Sequence, residues 1–175
     1  MSKTFLRLLA IFSLIFLLGG CGGYYFPNIY DGPEKNVYMP NWKNRTDKLG
    51  IDNQMYQSLS KWFQKSQSIK ITKDKKNADL ILAGEISYID IPSVAWDGNA
   101  RATGTKVKLI LRYVLKDLQN NSILWEVPHD VWTEDVSTIK ESADTEEEAL
   151  KVIIDEVSEK IYLGTLDKLR KQNKK

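Results

Sequence analysis

The sequence predicts an α+β fold, a two-layer sandwich in which a mixed, mostly antiparallel sheet of four to five strands carries two helices packed on one face. Three observations predict it. Residues 52–66 and 146–170 repeat apolar side chains at helical spacing, each along a single stripe. Residues 105–118 and 123–135 alternate apolar and polar side chains, the period of half-buried strands. An amphipathic helix and a one-sided sheet each need an apolar partner layer, and packing one on the other supplies it for both.

The elements follow in order. Val37, Tyr38 and Met39 read as a short strand that Pro40 stops. Ile51, Met55, Leu59, Trp62 and Phe63 recur at i, i+4, i+8, i+11 and i+12, which makes 52–66 a helix, and Asp52 favours the positive end of its dipole. Residues 69–72 are a second short strand, and 73–77 a polar connection. Residues 80–91 form a long strand, apolar on both faces in its first half and therefore central in the sheet, ended by Pro92. Residues 93–104 read as a long loop.

The strand over 105–118 turns Val107, Leu109, Leu111, Tyr113 and Leu115 one way, and Lys106, Lys108, Arg112 and Lys116 the other. The strand over 123–135 has Ile123, Trp125, Val127 and Val131 on its apolar face, with His129 on the same side. If both apolar sets share a face, paired residue numbers sum to an even value. Sums of 240 and 242 both satisfy this: 240 sets Lys116, Arg112 and Lys108 opposite Leu124, Pro128 and Trp132, whereas 242 sets Lys116 opposite Glu126, Arg112 opposite Asp130 and Lys108 opposite Glu134. Each such cross-strand pair contributes about 0.2–1 kcal/mol, so this register is expected. Residues 120–122 then form the loop, where Asn tolerates a left-handed backbone, and Pro128 marks an edge strand. The last helix, 146–170, opens on a Thr145–Glu148 capping-box pattern and carries Leu150, Ile153, Ile154, Val157, Ile161, Leu166 and Leu169 as its stripe. Residues 172–175 are expected to fray.

Charge separates the N-terminal segment from the rest. Lys and Arg number 25 against 23 Asp and Glu, a formal charge of +2. Lys3 and Arg7 account for all of that excess. They precede an apolar run over 8–18, short of the roughly 20 residues a membrane-spanning helix needs, so residues 1–20 read as a signal peptide that is removed. Leu18-Gly19-Gly20-Cys21 resembles the bacterial lipobox. Cleavage is expected between Gly20 and Cys21, with a diacylglycerol on the Cys21 thiol and an N-acyl chain on its freed amine. Gly22, where an aspartate is the usual inner-membrane retention signal, points to the outer membrane. Residues 21–35 form a tether, and its aromatics Tyr24, Tyr25, Phe26 and Tyr30 suit contact with the domain or the membrane. Residues 36–171 form one domain. Without residues 1–20 the charges balance, which argues against an electrostatic grip on nucleic acid.

Catalytic parts are scarce. One Cys and one His exclude a disulfide scaffold and a multi-cysteine zinc site, and leave nucleophilic triads without their members. Neither a metal nor a cofactor is expected beyond the lipid on Cys21, and an enzyme is not expected. The carboxylates of Glu134-Asp135 and of Glu146 to Glu148 are explained by strand pairing and helix capping. The cationic stripe of Lys106, Lys108, Arg112 and Lys116 reads as the solvated half of cross-strand ion pairs or as an anion-binding surface. Trp96, Asp97 and Arg101 sit in the long loop with no structural duty, as contact residues or as a solvated turn.

Several short motifs occur together and in order: Cys21-Gly22-Gly23-Tyr24-Tyr25-Phe26, Val37-Tyr38-Met39-Pro40, Asn44-Arg45-Thr46, the run from Ala78-Asp79 through Gly84-Glu85-Ile86, Asp97-Gly98, and Ile123-Leu124-Trp125-Glu126. In this order and spacing the chain resembles the LptE family, lipopolysaccharide-assembly lipoproteins of Gram-negative bacteria. The resemblance implies a periplasm-facing, lipid-anchored protein of the outer membrane. It would sit as a plug in the lumen of the β-barrel LptD, assist its assembly and help deliver lipopolysaccharide to the outer leaflet. It implies no catalytic residue. Lipopolysaccharide or barrel contacts are expected among Trp96, Asp97, Arg101, Lys106 and Lys108. The competing readings are an adaptor for another envelope complex and a lipid-anchored periplasmic enzyme.

Overall fold

The computed structural model describes Tyr30 and residues 32–96, 102–137 and 143–173. Its elements are β1 (Lys35–Tyr38), β2 (Lys43–Asn44), α1 (Ile51–Phe63), β3 (Ile69–Thr72), a 3-10 turn (Lys75–Asn77), β4 (Leu80–Asp90), β5 (Ser93–Trp96), β6 (Ala102–Asp117), β7 (Ile123–Ser137) and α2 (Ala143–Asn173).

The seven strands form one mixed sheet. β1 runs parallel to β3 and β4, and β2 parallel to β4, while β4, β5 and β7 all pair antiparallel with β6. β1 and β2 follow one another along the same side of β4, and β4 and β5 along the same side of β6, so β3 and β7 are the edges. Both helices cover one face. The expected α+β sandwich is therefore present, with more strands than the four to five the alternation marks. The additions, β2 and β5, span two and four residues, too few to show a period.

Gly50 precedes α1 with φ at 80°, a left-handed backbone that glycine adopts without steric cost. The stripe of α1 is buried at Ile51, Met55, Leu59 and Phe63. In α2 all seven predicted stripe residues are buried, and Ala149 and Tyr162 join them. The helices are clasped through Asp155, which accepts from Trp62 Nε1 at 3.0 Å and Ser58 Oγ at 3.2 Å. From the sheet, Leu80, Leu82, Ile86, Val107, Leu109, Leu111, Tyr113 and Leu115 complete the core. Each fully buried side chain of Leu size contributes about 1.5–3 kcal/mol of transfer free energy.

Three expectations need correction. First, the loop over 93–104 is largely strand: β5 and the start of β6 form hairpin arms in which Trp96 pairs with Ala102. Second, the register of β6 and β7 is not 242. Leu111 pairs with Asp130 and Leu109 with Trp132, whereas Tyr113 pairs with Val127 and Leu115 with Trp125. The phase changes at a bulge in which Pro128 and His129 lie opposite Arg112 alone. Proline cannot donate to the ladder, so the bulge forms where it stands. Beyond that point the two faces of β7 exchange roles: Asp130 turns inward at 9% exposure and Val131 outward at 45%. His129 is exposed rather than on the apolar side. Third, α2 begins at Ala143, so Thr145 lies within the helix instead of capping it. The helix also continues through Asn173. Gln172 donates to Asp117 at 2.8 Å and Asn173 to the Tyr30 hydroxyl at 3.0 Å, which holds residues 172 and 173 against the domain. The turn before β7 does use a left-handed asparagine, Asn121, with φ at 59°.

Candidate functional site: the open face of the sheet

The short motifs hold strands in place. Asp79 acts as a clamp. Its side chain accepts from the Asn36 backbone N–H at 2.8 Å and from Gln119 Nε2 at 2.9 Å, and its carbonyl accepts from the Leu118 N–H at 2.8 Å. One carboxylate thus ties β1, the start of β4 and the turn after β6. Asn44 closes the turn after β2, accepting from the Thr46 N–H and hydroxyl at 2.9 and 2.7 Å and donating to the Lys48 carbonyl at 2.8 Å. Arg45 fastens that turn to β4 through its N–H on the Ile86 carbonyl at 2.9 Å and its guanidinium on Glu85 at 3.4 Å.

Two glycines make room for an aromatic chain. A Cβ on Gly84 would overlap the Trp42 ring, and one on Gly164 of α2 would overlap the Trp125 ring. Between them Tyr113 stacks on Trp42 with centroids 6.1 Å apart and meets Trp125 edge-on at 5.0 Å. Beside this row the inward-turned Asp130 accepts from the Tyr113 hydroxyl at 3.2 Å and from Lys160 Nζ at 2.9 and 3.0 Å. Burial, then the charge and hydrogen bond of Asp130, push the Tyr113 hydroxyl pKa upward, so it stays a donor. The bulge that exposes Val131 therefore creates a buried anchor for α2 on the edge strand.

Among the described residues no helix covers the opposite face of the sheet. Tyr88 on β4, Ile110 on β6 and Val131 on β7 pair side by side across three strands. Tyr88 is 48% exposed, comparable with Val131. Tyr88 reaches this face because β4 has its own register shift between Ile86 and Tyr88, close to the height of the β7 bulge. Around the row lie the cations of β6. Arg112 and Arg45 share Glu85, at 3.1 and 3.4 Å, and Lys106 pairs with Asp135 at 2.6 Å. Lys108 and Lys116 form no ion pair among the described residues. The hydrogen bond from Arg112 outweighs burial and, with Arg45, holds the Glu85 carboxyl below its ordinary range.

Of the expected contact residues, Lys106 and Lys108 lie on this open face, two residues apart on β6. The backbone of Trp96 lies in β5 at the same end of the sheet. Asp97 and Arg101 lie outside the described residues, as do Gly20, Cys21 and the tether up to Ile29. The expected pairs of Arg112 with Asp130, Lys116 with Glu126 and Lys108 with Glu134 do not form. Paired numbers sum to 240 on the turn side of the bulge, with a further shift that sets Lys116 opposite Ile123, and to 241 beyond it, so none of the three pairs is in register, and Arg112 turns to Glu85 on the other neighbouring strand. Lys106 finds Asp135 instead. The row of Tyr88, Ile110 and Val131 escapes a reading by simple alternation, and Pro128 is its one local sign. Among the described residues no cluster of three His, Cys, Asp or Glu is placed to hold a metal, and no helix is long and apolar enough to cross a membrane.

A family model described as LptE, lipopolysaccharide-assembly, matches residues 34–163. No curated protein matches the sequence significantly. Among solved structures, the protein XCC0632 from Xanthomonas campestris is similar at TM-score 0.60 and 9% identity, over 83% of this chain and 92% of that one. The uncharacterized lipoprotein B from Nitrosomonas europaea is similar at TM-score 0.53 and 13% identity, over 81% and 88%. At these identities the structural likeness speaks to the fold.

Proposed function

As the chain belongs to the LptE family of lipopolysaccharide-assembly proteins, we propose that it is the lipid-anchored outer-membrane subunit of a lipopolysaccharide translocon. In this reading it is seated in the lumen of an LptD-type β-barrel, assists the barrel's assembly and helps pass lipopolysaccharide to the outer leaflet. The observation that carries the reading is the family match over 34–163, which takes in every strand and most of α2. Cys21 carries the diacylglycerol and the N-acyl chain, and two or more acyl chains anchor stably because each buried CH₂ contributes about 0.8 kcal/mol. The role is one of structure and binding rather than catalysis.

Two features support a seat inside a barrel. The sheet ends and the open face carry charges of both signs, as a surface facing a polar lumen requires. Trp96, Lys106 and Lys108 gather at one end of the sheet, and Asp97 and Arg101 lie in the five residues that join β5 to β6. That end is the proposed contact region for lipopolysaccharide or barrel loops. Lys108 is better placed than Lys106, whose amine Asp135 already engages.

Depletion tests the function. Cells losing this protein should lose surface lipopolysaccharide while other lipoproteins remain in the outer membrane. Unchanged surface lipopolysaccharide would instead favour an adaptor for another envelope complex. The anchor has its own test: Cys21→Ser should accumulate as an unprocessed precursor without lipid, and normal maturation of that variant would contradict the anchor.

A further inference from the structure

We propose that the outer edge of β7, beyond its bulge, is a docking site for an extended segment of another protein that carries an apolar side chain between cationic ones. Such a segment adds to the sheet as a strand and lays its apolar side chain in the cleft between β7 and α2. The site requires neither the lipid anchor nor the barrel.

The edge itself comes first. Among the described residues β7 pairs with β6 alone, so the N–H and C=O groups on its outer side meet no strand. Past the bulge the register with β6 is unbroken from Asp130 to Ser137, which leaves a regular template for one more strand. Exposed edges are commonly blunted by lysine, by proline or by a bulge. Pro128 and the bulge guard the half of β7 nearer the turn. From Asp130 onward neither device is present, and β7 contains no Lys or Arg.

A cleft of about 660 Å³ lies beside that edge, with Trp125, Trp132, Leu163 and Gly164 as its apolar wall. Asp130, Trp132 and Glu134 alternate on the helix-covered side of β7, so alternate residues of an added strand would point to the same side, into the cleft. Trp132 Nε1 is buried and has no acceptor among the described residues. Strand addition draws its affinity from main-chain hydrogen bonds and its specificity from pockets for alternate side chains. Edge and cleft together supply both.

Charge selects the occupant. Glu156, Glu159, Lys160 and Asp167 complete the cleft lining. Asp130 engages Lys160, and Asp167 engages Lys171. Glu156 and Glu159, with Glu134 on the strand, form no ion pair among the described residues. Lys168 and Arg170 follow on α2 outside the lining. The cations of β6 belong to the open face: Lys106 pairs with Asp135, Arg112 with Glu85, Lys108 stands between Asp90 and Thr133, and Lys116 lies opposite Ile123. Glu126 is on that face too, opposite Val114. The cleft side of the edge is therefore acidic, and an apolar group flanked by Lys or Arg complements it. A second copy of this chain would bring the same carboxylates to the edge and no lysine on its own β7.

The test titrates the full chain, in a non-ionic detergent, into a fluorescently labelled peptide Thr-Lys-Thr-Leu-Thr-Lys-Thr, which sets Lys, Leu and Lys on one side when extended. Fluorescence anisotropy should show saturable binding. Two further peptides carry N-methyl groups on alternate amides, one on each set. Only one set can face β7, so one of these peptides should bind about tenfold more weakly and the other like the parent. Exchanging both Lys for Glu in the peptide should weaken binding about tenfold. In the chain, Glu156→Lys combined with Glu159→Lys should reverse that preference, while Gln54→Lys combined with Gln57→Lys on α1 should leave it unchanged. The methylated peptides use the unaltered chain, so their result stands whether or not a variant folds. Absence of saturable binding, an equal response to the two methylation patterns, or no preference for Lys over Glu each overturns the proposal. A chain already dimeric in sedimentation, with the dimer lost in the Glu156→Lys, Glu159→Lys variant, gives the edge to a second copy and also overturns it.

Discussion

The two faces of the sheet are built from the same strands and follow different rules. On the helix-covered face, every second residue of β6 from Val107 to Leu115 is at most 2% exposed, and the neighbouring strands supply more apolar groups. The polar groups admitted there are tied down, as Asp130 is by Tyr113 and Lys160. On the open face the same strand presents Lys106, Lys108, Arg112 and Lys116 around an apolar row that no other described element covers. The covered face is arranged for stability, and the open face holds Lys106 and Lys108 of the proposed contact region. Substitutions on the two faces should therefore separate folding from function.

The largest effect belongs to the covered face. Leu111→Ala, at 0% exposure in the middle of β6, should cost about 2–5 kcal/mol in urea unfolding. Val131→Thr on the open face should stay within about 0.5 kcal/mol. Equal losses would erase the distinction. Gly164→Ala comes next: its Cβ overlaps the Trp125 ring, and overpacking of this kind costs about 1–3 kcal/mol. An unchanged thermal midpoint would show that α2 does not rest on β7 as described. Asp130→Ala should cost about 1–3 kcal/mol, because it leaves the buried Tyr113 hydroxyl without its acceptor and Lys160 without its partner. Asp130→Asn should recover part of that loss.

The smallest effect is a pH dependence. Burial pushes the Asp117 carboxyl upward, but hydrogen bonds from Gln172 and from the Gln119 and Asn120 N–H groups outweigh it. Its folded pKa therefore lies below the ordinary 3.8. A depressed carboxylate adds stability above its unfolded pKa, and that stability is lost as pH falls through the folded value. Asp117→Asn should therefore be less stable than the parent at neutral pH, with the gap narrowing below about pH 4. Glu85→Gln on the open face follows the same sign from 4.5, with a smaller change because its partners Arg45 and Arg112 are 60% and 58% exposed. A gap that widens in acid would contradict both.

The parts of this fold legible in the sequence are those with an unbroken period. The stripe of α2 is one: from Leu150 to Leu169 no irregularity interrupts the helix, and each apolar position on the stripe is buried. The core face of β6 is another. The pairing of β6 with β7 is not, because reading a register from two apolar sets assumes that both keep one phase. The pairing has two register shifts, and the one at Pro128 and His129 breaks that assumption and moves Asp130 and Val131 to opposite faces from those expected. The sign was present, since a proline within a strand marks an edge or a bulge, but alternation alone does not distinguish these. Lys106 and Lys108 on the open face were legible as a cationic stripe. Their apolar neighbours Tyr88 and Val131 were not, because two bulges place them there. The roles of Asp79 and Asn44 need three-dimensional partners, Gln119 and Lys48 among them, that no local pattern reveals.

The central claim is that this domain works inside an outer-membrane barrel. Affinity purification of the full lipidated chain from gently solubilised outer membranes tests it most directly. Recovery of a large β-barrel protein in a fixed ratio to the chain is the predicted result. A chain recovered intact and lipidated with no barrel partner would contradict it.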